Sequence, residues 1–191
     1  MRKRIISVAI VIAVFLGLFV NCNIADSSAT PELNIVDDNY RNYYEVFVYS
    51  FCDSDGDKIG DLNGVTQKLD YIQDMGFNGI WLMPIMPSTT YHKYDVTDYC
   101  AIDKDYGTLD DFKTLVEECH KRDIRLIIDF VMNHTSSEHE WFTKACDYLR
   151  TLKEGEDANA EECKYVDYYH FSKEQVDGTY YKVVGSEYYY E

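Results

Sequence analysis

Four aspartates are packed into Asp53-Ser54-Asp55-Gly56-Asp57-Lys58-Ile59-Gly60-Asp61. Carboxylates at alternate positions, with Gly56 and Gly60 permitting tight turns, can wrap a hard cation. Calcium takes its oxygens from carboxylates and backbone carbonyls of this kind. Asp53, Asp55, Asp57 and Asp61 fall at the first, third, fifth and ninth places of an EF-hand loop, with the Ile59 carbonyl at the seventh. Lys58 replaces the EF-hand glycine, and Gly64 replaces its bidentate glutamate. A strand instead of a helix precedes the loop, so this is not an EF-hand. Four carboxylates this close repel one another without a cation. A solvated acidic loop is the other reading.

Two further segments carry chemistry. Residues 84–99 (PIMPSTTYHKYDVTDY) place aromatic rings beside carboxylates, notably Tyr94 next to Asp95. That combination suits a sugar, whose C–H face packs on a ring while oxygens take its hydroxyls. An ordinary polar loop explains the composition equally well. Residues 129–135 read Asp129-Phe130-Val131-Met132-Asn133-His134-Thr135. Asp129 lies within an otherwise apolar run, where a lone carboxylate is costly unless paired. Strand alternation would put Asp129, Val131 and Asn133 on one side. The plainer reading is that Asn133, His134 and Thr135 merely serve the next helix. The same three residues also match a glycosylation sequon, a short pattern with many chance matches.

These segments need elements to position them. Residues 43–51 (YYEVFVYSF) are aromatic and β-branched, a strand by composition. From Leu62, the apolar residues Val65, Leu69 and Ile72 recur at helical spacing, and Gly76 supplies a stop. Residues 79–83 (GIWLM) predict a second strand. Thr108 with Asp111 predicts a capping box, opening a helix that buries Leu109, Phe112, Leu115, Val116 and Cys119. Residues 125–131 (RLIIDFV) predict the third strand. Strand and helix in alternation mean βαβ units and a parallel sheet, either an open doubly wound sheet or part of a closed (β/α)₈ barrel. In both, the loops after the carboxyl ends of the strands form the site. Beyond Asn133 the alternation stops. Ser137 with Glu140 is expected to cap a helix bearing Trp141, Phe142, Ala145 and Leu149, and residues 165–190 suggest short antiparallel strands.

The start of the chain is of another kind. Arg2, Lys3 and Arg4 precede an apolar run over residues 5–20, and Asn21 breaks it, which is the pattern of a secretory signal. The expectation is export, secreted or at the cell surface. Cys22 stands where a bacterial lipoprotein would be lipidated, although Asn21 is not the small residue usual before it. The only membrane contact expected is through such an anchor. Residues 26–39 read as a linker. Without the three basic residues, the remainder carries 15 basic against 34 acidic side chains, a net charge near −19. Such a surface repels nucleic acid and anionic membranes, so no nucleic-acid partner is expected. Six cysteines invite a disulfide reading in an exported protein, with Cys146 and Cys163 bracketing a polar excursion and Cys119 reading as a buried thiol.

Together the three segments resemble glycoside hydrolase family 13, the α-amylase family. DFVMNH at 129–134 resembles its first conserved region. YHKYDVTDY at 91–99, with DYGTLDDF at 105–112, resembles the stretch after its second barrel strand. DSDGDKIGDL at 53–62 resembles the metal loop of members related to oligo-1,6-glucosidases and bacterial α-amylases. The resemblance implies the first three β/α units of a (β/α)₈ TIM barrel over residues 40–134, after a signal at 1–22 and a linker at 23–39. Residues 135–191 would begin an inserted small domain. It implies that Tyr94 stacks on the sugar at the cleavage point, braced by Asp95, that His134 hydrogen-bonds the same sugar, and that Asp129 orients an arginine from a later strand. Calcium would sit on Asp53, Asp55, Asp57, the Ile59 carbonyl and Asp61, and a second ion on Asn133. The family's nucleophile and acid/base come from later strands, so no residue here is assigned to bond breaking. The chain is expected to continue past Glu191. The implied activity is retaining hydrolysis of α-glucans or malto-oligosaccharides, and the alternative is a non-catalytic relative that binds calcium or carbohydrate.

Overall fold

The computed structural model describes residues 41–175 and 180–191. The expected signal at 1–22, the linker at 23–39 and Cys22 lie outside the described residues. No described helix is long and apolar enough to cross a membrane.

Three strands, β1 (Tyr43–Val46), β2 (Gly79–Leu82) and β3 (Arg125–Ile128), pair in parallel in the order β1-β2-β3. Tyr43 lies opposite Gly79, and Gly79 opposite Arg125. Parallel neighbours require crossovers, supplied by α1 (Val48–Phe51), α2 (Leu62–Gln67), α3 (Leu69–Asp74) and α4 (Leu109–Lys121). Alternation sends Val46, Ile80 and Leu82 into a core shared with Val65, Leu69, Ile72, Leu115 and Cys119. Each large aliphatic side chain buried there contributes about 1.5–3 kcal/mol. On the opposite face Glu45, Trp81 and Ile127 form one row across the strands and stay exposed.

Each strand is shorter than its composition predicts. β1 ends at Val46 because the chain turns at Phe47 into α1, which buries Val48 instead. β2 and β3 stop at Leu82 and Ile128, although Met83 N–H still donates to Val46 O (3.0 Å) and Asp129 N–H to Leu82 O (2.8 Å). Alternation does not persist past Ile128: Val131 is buried while Asn133 is exposed. The helix expected from Leu62 is divided at Lys68 into α2 and α3. α4 begins as predicted, with Thr108 and Asp111 in a reciprocal capping box.

Two glycines let the acidic loop dock. A Cβ on Gly60 would stand 1.9 Å from Val48 O, and one on Gly64 1.9 Å from Cys52 O. Any larger residue would push the loop away from α1.

A second core begins with α5 (Glu140–Thr151), whose Phe142, Ala145, Cys146 and Leu149 are buried with Val166, Val183 and Tyr188. A 3₁₀ turn (Lys164–Tyr168) leads to an antiparallel sheet of β4 (Phe171–Ser172), β5 (Tyr181–Lys182) and β6 (Tyr189–Tyr190) in the order β4-β6-β5. The expected antiparallel strands are therefore present. The expected cap is not: His139 takes the N-cap position of α5, its Nδ1 accepting from Trp141 N–H at 3.1 Å, in place of Ser137. Cys52, Cys100, Cys119, Cys146 and Cys163 are all free thiols, so Cys146 and Cys163 are not bridged. Cys119 is buried, as expected, and burial pushes its thiol up to about 12.

Candidate functional site

The segments after β2 and β3 meet at the carboxyl ends of the strands, where parallel sheets of this kind place their chemistry. Tyr94 stands at the centre. Its hydroxyl donates to Asp129 Oδ2 at 2.8 Å, pairing the carboxylate that looked isolated in the sequence. This hydrogen bond, reinforced by burial and by the charges of Asp129 and Glu45, pushes the phenol up to about 12. Tyr94 therefore remains a protonated donor through the physiological range.

His134 closes the group. Its Nε2 lies 3.0 Å from Tyr94 O, and because a carbonyl only accepts, the proton is on Nε2. Its Nδ1 then accepts from Asn133 Nδ2 at 3.3 Å. Both ring nitrogens are engaged, so His134 must exchange a partner before it can bond a sugar hydroxyl. Tyr99, which sequence reasoning did not single out, ties the same segment down: its hydroxyl lies 2.6 Å from Val131 O and 2.8 Å from His134 O. Beyond His134 opens an aromatic cavity of about 390 Å³, bounded by Tyr99, Phe130, Asn133, Trp141 and Tyr168.

Asp95 points elsewhere. Its carboxylate accepts from the hydroxyls of Ser88, Thr89 and Thr90, closing residues 88–95 into a loop. Burial opposes the charge, but the three hydroxyls together outweigh it and hold the carboxyl down to about 2. A carboxyl depressed on folding adds stability that is complete above the unfolded value of about 4 and is lost as pH falls through its folded value. In acid melts the stability gap between the wild type and Asp95→Asn should therefore narrow as pH falls from about 4 towards 2. A gap that stays constant would show that Asp95 does not titrate this way.

The loop carrying Tyr94 rests on a pair that the sequence did not reveal. Lys93 adopts a left-handed backbone (φ 65°) and sends its ammonium to Asp103 Oδ2 at 2.6 Å, with both side chains buried. Lys93 Nζ also lies 5.2 Å from the Tyr106 ring centroid. Asp103 is anchored through its own N–H to Ile85 O (2.9 Å), so the pair clamps the two ends of the loop.

The acidic loop forms a separate cluster. Oxygens of Asp53, Asp55 and Asp61 lie within 4.8 Å of one another. Calcium–oxygen bonds of about 2.3–2.6 Å place any two ligands at most about 5 Å apart, so the trio fits one ion. Asp53 stays exposed and accepts from the N–H groups of Gly56 (2.7 Å) and Lys58 (2.9 Å), which hold its carboxyl below the usual range. Asp61 caps α2 through Gly64 N–H (2.7 Å) and also takes Ser54 N–H and Oγ–H (both 2.8 Å). Asp57 is outside the trio; its Oδ1 accepts from Ile59 N–H at 2.7 Å. Asn133, expected at a separate ion, lies beside His134, its Nδ2 at 3.3 Å from His134 Nδ1.

Three parallel β/α units with a ring, a carboxylate and an imidazole gathered at their carboxyl ends define the start of a β/α-barrel with a polar ligand site. The family model described as "Alpha amylase, catalytic domain" matches residues 45–189, and the chain belongs to the α-amylase family, glycoside hydrolase family 13. It comprises the first three β/α units of the (β/α)₈ barrel and the start of the inserted small domain. The chain is 47% identical over 138 residues to "Alpha-amylase 3" of Dictyoglomus thermophilum, covering 71% of this chain and 25% of that protein. It is 50% identical over 103 residues to "Probable oligo-1,6-glucosidase 2" of Bacillus subtilis, covering 53% of this chain and 18% of that protein. The solved structure of Eubacterium rectale Amy13B superposes with a TM-score of 0.78 at 62% identity, covering 83% of this chain and 30% of the other. The chain thus spans about a quarter or less of the length of these curated relatives.

Proposed function

We propose that the full-length protein is an exported, retaining glycoside hydrolase that cleaves α-linked glucans, of the α-amylase or oligo-glucosidase type. The observation that carries this reading is the Tyr94–Asp129–His134 group, assembled by hydrogen bonds at the strand ends of a barrel of this family. The Tyr94 ring offers a face on which a glucosyl unit packs, and Asp129 holds that ring in orientation. Retaining cleavage needs a nucleophile and an acid/base about 5–5.5 Å apart. Asp129 is committed to Tyr94 and Asp95 to three hydroxyls, so in this reading both carboxylates are supporting groups. The bond-breaking pair comes from strands beyond residue 191. Export rests on the sequence of residues 1–22, and any membrane contact would run through a lipid on Cys22.

Incubating the full-length protein with malto-oligosaccharides, and following the anomeric signal of the first products, tests the reading. Release of α-anomers supports it. Inverted products, or no release at all, would overturn it.

Calcium would be held by Asp53, Asp55 and Asp61, joined by the Ile59 carbonyl and Asp57, and would lock the acidic loop against α1 and α2. A second ion at Asn133 would need ligands from beyond residue 191. Calcium is therefore expected to raise the melting temperature of the full-length protein, and Asp55→Ala to weaken that rise. Equal melts with calcium and with chelator would remove the site.

A further inference from the structure

Asp129 holds the tip of the Tyr94 side chain by one hydrogen bond, about which the ring can still pivot. The other end of Tyr94 is set by the residue before it. Lys93 has a left-handed backbone (φ 65°), uncommon for a residue other than glycine and kept only where the surroundings impose it. What imposes it is buried: the Lys93 ammonium reaches to 2.6 Å from Asp103 Oδ2. Asp103 is itself fixed on three sides. Its Oδ1 accepts from Asp105 N–H at 3.0 Å, its N–H donates to Ile85 O at 2.9 Å, and its O accepts from Tyr106 N–H at 2.9 Å. Ile85 and Tyr106 both lie in the core beneath the sheet's loops. The described residues alone bury both charged side chains, so the pair needs no later strand to cover it.

We propose that Lys93 and Asp103 are positioning residues for Tyr94, fixing where its ring presents a face to the sugar. This rests on the reading of Tyr94 given above. A buried ion pair adds little net stability over a well-packed apolar pair, because its attraction roughly offsets its desolvation. It does impose one geometry, since each charge must meet its partner at hydrogen-bond distance, whereas apolar side chains of similar volume can settle in several ways. At Lys93 that geometry has a consequence, because any rotation of the backbone there swings Tyr94, the next residue. Asp129 and Lys93 thus hold Tyr94 at its two ends, and the ring between them has one orientation.

The test uses the full-length protein and the double change Lys93→Met with Asp103→Leu, made in the wild type and again on Tyr94→Ala. Titration calorimetry with maltoheptaose measures binding, turnover of malto-oligosaccharides gives kcat/KM, and denaturation gives the midpoint. In the wild type the double change should weaken maltoheptaose binding about fivefold and lower kcat/KM about tenfold, although it regains much of the stability that Lys93→Met loses. On Tyr94→Ala it should alter neither by more than about twofold, because the residue through which the pair acts is gone. If the double variant does not fold, Asp103→Asn, which keeps the volume of the side chain, takes its place and should show the same dependence on Tyr94. Unchanged binding after the double change, or an equal loss with and without Tyr94, would overturn the proposal. A wild type that binds maltoheptaose but does not cleave it sinks the hydrolase reading alone, and the binding comparison still decides the role of the pair.

Discussion

Lys93→Met is expected to cost the full-length protein about 3–5 kcal/mol of stability, read as a lowered denaturation midpoint with an unchanged denaturant slope. The side chains of Lys93 and Asp103 are only 6% and 7% exposed, and their charged atoms stand 2.6 Å apart. Removing one partner leaves the other charge buried without compensation, which is the expensive way to break such a pair. Replacing both residues, as in Lys93→Met with Asp103→Leu, removes the pair and the stranded charge together. That double variant should regain much of the loss, because the attraction within a buried pair roughly offsets its desolvation. A single variant with the midpoint of the wild type would show that the pair is hydrated in solution.

Tyr94→Ala is expected to reduce kcat/KM on malto-oligosaccharides by about 100-fold, the scale of loss when a reacting group is no longer positioned. The substitution removes the ring face on which the proposed function packs the sugar and leaves Asp129 without its hydroxyl donor. Tyr94→Phe separates the two effects, since it keeps the face and deletes only the bond to Asp129. Its loss should be smaller, nearer the tenfold that one hydrogen bond to a charged group contributes. If Tyr94→Phe were as damaged as Tyr94→Ala, the ring face would have no role of its own.

The parallel sheet and its helices were legible because periodicity and caps are local. The apolar runs at 79–82 and 125–128 are strands, and the Thr108–Asp111 box opens α4 where its spacing says it should. Residues 47–51 misled because aromatic and β-branched composition does not separate a strand from a short helix that buries one valine. His139 displaced Ser137 as a cap because an imidazole can accept an N–H as a hydroxyl can, a role composition rarely signals. Tyr94, Asp129 and His134 were found in sequence, and the structure brings them together. Lys93 with Asp103 was not found, since ten residues of irregular loop must fold back before the two meet. The run Ser88-Thr89-Thr90 ahead of Asp95 was the one local sign that this carboxylate would be wrapped by hydroxyls.

A crystal structure of the full-length protein soaked with a slowly cleaved malto-oligosaccharide analogue tests the role of Tyr94 at the sugar. A glucosyl ring is expected on the face of Tyr94, with His134 having exchanged one of its present partners for a sugar hydroxyl. A sugar bound elsewhere in the barrel, with the Tyr94–Asp129–His134 group untouched, would contradict it.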